Sequence, residues 1–259
     1  MKDLIRLFIS NKRIDNLENN LLKLTIEESH YLNRVMRSKA GDEISLVNGK
    51  GYLWKGIKKD NNFIEVPKKN FPISFEEKKK LLIGIAIALP KSGFEDILKM
   101  CTEIGIDFIQ PLYSEYQIKR ISNQEKKMYR WELIINESVE QCERLWKPEL
   151  LNILSVKNWI NSLEGNNFLS ASVTRSLKSI DLERWLKKQT VVNNEYNILW
   201  NIIGPEGGWS EKELYYFKEN NIQFTKLTES IMRTSTAAIF ATSILNQWRN
   251  CEIQSNNKK

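Results

Sequence analysis

The chain contains a single histidine, at position 30, and only three cysteines, at 101, 142 and 251. No Cys-x-x-Cys pair occurs. Zinc modules, His-rich metal centres and most metal-centred hydrolysis are therefore not expected. A Ser-His-Asp hydrolase would have to rest on His30 alone. Three widely spaced cysteines make no disulfide framework, which suits a reducing compartment. The longest apolar run is Leu81 to Leu89, nine residues, against roughly 20 for a spanning helix. The opening Met1-Lys-Asp-Leu-Ile-Arg6 has no apolar signal core. A cytoplasmic protein with no membrane partner is the expectation. Neither G-x-G-x-x-G nor G-x-x-x-x-G-K-[ST] occurs, so the dinucleotide and P-loop fingerprints are missing.

What is present points to folded domains. The 259 residues are 41% hydrophobic and include eight tryptophans, enough apolar area for a sizeable core and too much for intrinsic disorder. The length exceeds one ordinary domain and falls short of two large ones. Lys and Arg number 39 against 32 Asp and Glu, a formal charge of +7. Residues 1–72 hold 14 of the basic and nine of the acidic residues, so most of the excess lies in the first quarter. A basic balance of this kind suits a polyanionic partner.

Residues 1–72 read as a small β-rich domain with one helix. Thr25-Ile-Glu-Glu28 is a capping box and predicts a helix to about Arg37, stopped by Gly41. Leu32, Val35 and Met36 would face inward, with His30, Arg34 and Arg37 at i, i+4, i+7 on another face. Strands are predicted at Glu43–Val47, Gly51–Lys59 and Phe63–Val66, the first two joined through an Asn48-Gly49 hairpin. A small barrel follows. Residues 67–80, with two prolines and a charge run, read as a linker. Residues 73–250 then alternate strand and helix. Strands are predicted at 81–89, 107–112, 168–173, 198–203 and 224–227. Helices are predicted at 93–104, 124–146, 210–220 and 234–248. That succession implies an α/β fold with a mostly parallel sheet and flanking helices. Residues 251–259 read as a polar tail.

Three places could carry chemistry. Gly204-Pro-Glu-Gly-Gly208 follows an apolar strand and precedes a helix capped by Ser210 and Glu213, where ligands of open α/β sheets bind. A plain tight turn would use the same residues, and the pattern leaves both readings open. Leu227 to Ala238 runs from a strand end through a loop to a helix start that Thr234 can cap, with Arg233 its one cation. An ordinary cap with a surface arginine is the alternative. Glu137, Gln141 and Arg144 share one face of the long helix, and a solvated face or a Glu140–Arg144 ion pair is the alternative there.

Together these segments resemble one family. Residues 29–43, Ser-His-Tyr-Leu-Asn-Arg-Val-Met-Arg-Ser-Lys-Ala-Gly-Asp-Glu, resemble the N-terminal signature of the RsmE ribosomal RNA methyltransferases. So do Leu89-Pro-Lys91 with Thr102-Glu-Ile-Gly105, and Glu137-Ser-Val-Glu-Gln-Cys142 with Arg144 and Pro148. Ile203 to Gly208 with Ser210, and Ile231-Met-Arg-Thr234 with Thr236-Ala-Ala238, complete a resemblance that spans nearly the whole chain. It implies a PUA-like N-terminal β-barrel for RNA docking and a C-terminal SPOUT domain whose backbone is a trefoil knot. It also implies a homodimer acting on 16S rRNA or the small ribosomal subunit, with S-adenosylmethionine (SAM) as methyl donor and no metal. The acceptor would be N3 of a uridine, position 1498 in rRNA numbering.

Carried over by motif, the cofactor contacts are Gly204, Gly207, Leu227, Ile231, Met232, Arg233, Thr236 and Ala237. Arg233 is the expected charge-stabilising residue and Glu206 the positional candidate for the base. His30, Arg34, Arg37, Glu137, Gln141 and Arg144 are the expected RNA contacts. The sequence departs from the family pattern at Ser235, where a glutamate is usual, and at Ser92, Glu143 and Thr228, where glycine is frequent. A SPOUT enzyme acting on tRNA or a ribose hydroxyl, a non-catalytic RNA-binding protein and a small-molecule enzyme are the competing readings.

Overall fold

The computed structural model describes residues 5–68, 71–116, 123–190 and 195–256. Lys69 and Asn70 of the expected linker, and residues 257–259 of the expected tail, lie outside the described residues. The chain divides into two units, Met1–Lys78 with Asn136–Lys147, and Lys79–Ile135 with Pro148–Lys259. This differs from the expected contiguous domains of 1–72 and 73–250. The boundary lies later, and a segment distant in sequence joins the first unit.

The first unit contains β1 (Ile5–Phe8), α1 (Asn11–Asp15), β2 (Leu21–Lys23), α2 (Ile26–His30), β3 (Glu43–Val47), β4 (Tyr52–Lys58), β5 (Phe63–Glu65) and β6 (Ser74–Phe75). The strands pair in the order β1-β3-β4-β5-β2, with β6 on β4. Only β1–β3 is parallel. Leu7, Leu22, Leu32, Ile44, Leu46 and Ile64 are fully buried in its core. Part of the supposed linker is thus a strand: Tyr52 pairs with Phe75 and Leu53 with Ser74. Residues 136–147 join this unit through backbone bonds that no local pattern announces. The Gly51 N–H donates to the Leu145 carbonyl (2.9 Å) and the Lys147 N–H to the Gly49 carbonyl (3.0 Å).

The capping box forms as expected, with the Glu28 N–H on Thr25 Oγ1 (3.2 Å) and the Thr25 N–H on Glu28 Oε2 (2.8 Å). The helix does not continue to Arg37. It passes at Tyr31–Val35 into a π-helical turn, whose wider winding re-aims side chains. Val35 is consequently exposed at 59%, against the expectation of an inward face. Arg37, at φ 50°, reverses the chain before Gly41 is reached. The buried Lys58 ammonium holds this region by bonding the Ser38 carbonyl (2.7 Å), Ser38 Oγ (3.0 Å) and Asn33 Oδ1. At the hairpin, Gly49 and Gly51 take positive φ while Asn48 does not; Asn48 Oδ1 instead accepts the Lys50 and Tyr52 amides.

The second unit contains β7 (Leu81–Ala88), α3 (Phe94–Ile104), β8 (Phe108–Tyr113), α4 (Gln124–Gln141, its last residues in the first unit), β9 (Glu149–Leu150), β10 (Leu154–Ser155) and α5 (Val156–Ser162). It continues with β11 (Asn166–Ser172), β12 (Ile180–Asp181), α6 (Leu182–Leu186), β13 (Asn197–Ile203), α7 (Glu211–Glu219), β14 (Gln223–Lys226) and α8 (Thr234–Asn256). The sheet order is β10-β8-β7-β13-β11-β14-β12, with β9 on β8. Every pairing in it is parallel. All eight residues of β7 are buried, as a strand covered on both faces requires. Two helix ends differ from expectation. α4 stops at Gln141, because Glu143 at φ 60° turns the chain, so Arg144 is not on its face. α8 runs on through Asn256 into the supposed tail.

One face of the sheet packs around Trp200. Its ring meets Trp159 edge-on at 5.2 Å, and its Nε1–H is fixed on Asn167 Oδ1 at 2.8 Å. A Cβ at Gly84 would stand 2.3 Å from Trp200 Cε3. Gly84→Ala should therefore destabilise the protein by about 1–3 kcal/mol through overpacking. A chemical-denaturation midpoint identical to wild type would contradict this packing.

Candidate active site

The parallel register gathers three strand ends. Ala171 of β11 pairs with Ile202 of β13, and Ser172 of β11 with Thr225 of β14. The loops leaving these strands therefore start side by side. Beyond β13, the Gly208 N–H closes a turn on the Pro205 carbonyl (2.9 Å), with Gly208 at φ 77°. α7 then starts on the expected capping box, Ser210 with Glu213. The buried Glu213 carboxyl also accepts the Glu115 amide at 3.0 Å, and burial raises its pKa despite these bonds.

Beyond β14, α8 begins at Thr234, so the residue expected to cap the helix is its first residue. The Ala237 N–H bonds the Arg233 carbonyl (2.9 Å). The Thr234 hydroxyl donates instead to the Gly204 carbonyl (3.0 Å) and so ties the two loops together. A cavity of about 280 Å³ lies between the strand ends. Its walls come from Ser172 to Arg175, Ile203 to Trp209, and the Leu227–Ala237 region. Among the described lining residues Glu206 is the one carboxylate and Arg175 the one cation. The Glu206 carboxylate accepts the Lys91 amide at 3.2 Å. The buried Trp209 Nε1–H has no partner among the described residues. A Cβ at Gly204 would come within 3.0 Å of that same nitrogen, so glycine keeps this wall open.

Of the residues expected here, Gly204, Glu206, Gly207, Leu227, Ile231, Met232 and Ala237 line the cavity. Arg233 and Thr236 do not; both are exposed at the head of α8. Motif reading missed Ser172, Val173, Thr174 and Arg175, the whole wall beyond β11. The strand-end rule that singled out residues 204–208 would have flagged them, but no glycine run marks them.

The expected RNA contacts all belong to the first unit. His30, Arg34, Arg37, Glu137 and Gln141 are exposed and Arg144 is half-buried. His30 ends α2, Arg34 lies in the π-turn and Arg37 has positive φ. The α-helical face arithmetic that grouped them does not apply. The charge picture changes too. The first unit as folded holds 17 basic and 14 acidic residues, leaving 22 and 18 in the second, so the excess is shared nearly evenly.

Glu140 makes a contact that the helix spacing did not suggest. Its Oε1 accepts the Phe8 amide at 2.6 Å. Burial pushes its pKa up to about 7; the Phe8 bond opposes the shift, and Glu137 and Glu28 add to it. Tyr31 of the π-turn is likewise raised, by burial and by Glu140 and Glu137.

The RNA methyltransferase domain family matches residues 77–246, and the RNA methyltransferase PUA domain family matches residues 24–57. The ribosomal RNA small subunit methyltransferase E of Synechocystis sp. is 32% identical over 232 residues, covering 86% of this chain and 72% of that protein. The protein of the same name from Mesomycoplasma hyopneumoniae is 29% identical, covering 91% and 96%. The structure of a ribosomal RNA small subunit methyltransferase E from Neisseria gonorrhoeae, bound to S-adenosyl methionine, superposes with a TM-score of 0.76 at 22% identity, covering 94% of this chain and 97% of that one. That likeness establishes the shared fold, an α/β domain with a PUA-like companion.

The Glu140 shift has a defined sign. Its folded pKa, about 7, lies above the ordinary 4.5, so between these values the folded state holds more proton than the unfolded one. Stability should fall as pH rises across that window and level off above it. Glu140→Gln should flatten this slope in denaturation series run from pH 4.5 to 8; an unchanged slope would assign the pH dependence elsewhere.

Proposed function

The chain belongs to the RNA methyltransferase family, and on that premise we propose that it methylates N3 of a uridine in 16S rRNA, with SAM as donor. The observation that carries this reading is the cavity at the ends of β11, β13 and β14, built from the segments that resemble the family's cofactor loops. The cavity's chemistry suits that cofactor. Gly204 and Gly207 leave backbone accessible, Ile203, Leu227, Ile231 and Met232 offer apolar cover, and Trp209 Nε1–H is a buried donor in need of an acceptor. Gly204, Gly207, Leu227, Ile231, Met232 and Ala237 would hold the cofactor, with Arg233 and Thr236 at the rim. When bound, SAM supplies an electrophilic methyl group on a sulfonium.

The protein's own part is to position, deprotonate and stabilise. Uracil N3 carries a proton on the Watson–Crick edge, so the base has to be unpaired or rotated out of its stack. Glu206, the one carboxylate among the described lining residues, is the proposed acceptor of that proton. Arg233 is the proposed cation for the charge that builds on O2 or O4. Its exposure leaves the guanidinium free to meet an incoming base. His30, Arg34, Arg37, Glu137, Gln141 and Arg144 are the proposed RNA contacts, with recognition mainly of shape and backbone. A cytoplasmic homodimer with a knotted C-terminal domain belongs to the same proposal. No helix among the described residues is long and apolar enough to cross a membrane.

Incubation with small subunits lacking the modification, followed by nucleoside mass spectrometry, should yield 3-methyluridine. A ribose-methylated product or a different base would overturn the assignment, and absence of SAM binding in calorimetry would favour a non-catalytic RNA-binding protein. Arg233→Ala should keep SAM affinity while turnover falls by roughly 10²-fold; near-wild-type turnover removes the charge-stabilising role.

A further inference from the structure

A polar cluster sits in the apolar sheet directly below the cavity. Asn201 of β13, Ser170 of β11 and Thr225 of β14 are each 0% exposed. One proton arrangement uses all five of their hydrogen-bond contacts. The Ser170 hydroxyl reaches the Trp200 carbonyl (3.2 Å) and the Thr225 hydroxyl the Ala171 carbonyl (3.3 Å). A carbonyl only accepts, and each hydroxyl has a single proton, so both oxygens are left as acceptors toward Asn201. The Asn201 amide nitrogen, with two protons, lies 2.9 Å from Ser170 Oγ and 3.3 Å from Thr225 Oγ1 and satisfies both. With all five contacts used, Asn201 faces Ser170 and Thr225 with its amide nitrogen. Its Oδ1 then faces Ser172 Oγ at 2.9 Å and receives the Ser172 proton. Ser172 lines the cavity, and in this arrangement its hydroxyl proton is committed to Asn201.

We propose that Ser172 is a specificity-determining residue of the cofactor pocket, held by Asn201 as an obligate acceptor that selects an N–H or O–H donor on the bound nucleoside amino acid. The inference rests on the reading of the cavity as a SAM site. It goes beyond it by assigning a polar contact to a residue outside every motif block, and by accounting for a buried polar cluster where apolar residues would otherwise pack. Three donor groups on such a ligand fit: the adenine amino group, a ribose hydroxyl and the amino-acid ammonium.

The test is calorimetric binding of S-adenosylhomocysteine and of analogues lacking the adenine amino group, the 2′- or 3′-hydroxyl, or the α-amino group. Ser172→Ala should weaken S-adenosylhomocysteine about five- to tenfold, the scale of one neutral hydrogen bond. For the single analogue that lacks the donor facing Ser172, wild type and variant should bind alike. Ser172→Cys, whose thiol still donates to Asn201 but accepts poorly, should show the same pattern and guards against a folding defect. Equal binding of every ligand by wild type and both variants, or a uniform loss across all analogues, overturns the proposal. If wild type binds none of these ligands, the cofactor reading itself has failed.

Discussion

Three parallel strands, β11, β13 and β14, end in register, and the chemistry of this chain hangs on that edge. Their pairing brings Ser172, Ile203 and Lys226 to one end of the sheet. The loops that follow enclose the cavity. A parallel sheet demands cover on both faces, which β7 meets with eight buried residues and Trp200 with an aromatic cluster. The close packing of that cluster is why a glycine stands at 84. Nearer the cavity the sheet turns polar, with Asn201 linking side chains of all three strands.

The two loops are not independent. The Thr234 hydroxyl on the Gly204 carbonyl joins the start of α8 to the turn after β13. The Ser210–Glu213 capping box anchors the far side of that turn, and Glu213 also accepts the Glu115 amide. Backbone groups that a loop would leave to water are spent on these cross-links, which hold the walls in shape. Ser235, the departure from the family pattern that the sequence resembles, is half-buried in the first turn of α8, and nothing in the structure gives it a bond that explains the change.

In the first unit a local capping signal and the geometry beyond it part company. The capping box at Thr25 starts a helix as its residues dictate, yet the π-turn from Tyr31 breaks the period. Lys58, buried and bonded to Asn33 and Ser38, belongs to a strand 20 residues later than Ser38. No window on the helix sequence contains it. The segment 136–147 makes the same point: its amides and carbonyls pair with Gly49 and Gly51, and its Glu140 with Phe8.

Much of the fold was legible from the residues themselves. The continuous apolar run 81–89 identified β7, and Ser210 with Glu213 marked the start of α7. Glycine, proline and the capping residues act on their immediate neighbours, so one-dimensional reading finds them and with them two of the three cavity walls. The third wall, Ser172 to Arg175, carries no such mark, because an acceptor hydroxyl and a lining arginine are defined by what faces them. Tertiary structure alone decided that wall, the proton arrangement around Asn201, the end of α4 and the membership of residues 136–147. The polar cluster and the placement of residues 136–147 depend on hydrogen bonds between residues far apart in sequence, and such partners meet only when the chain has folded.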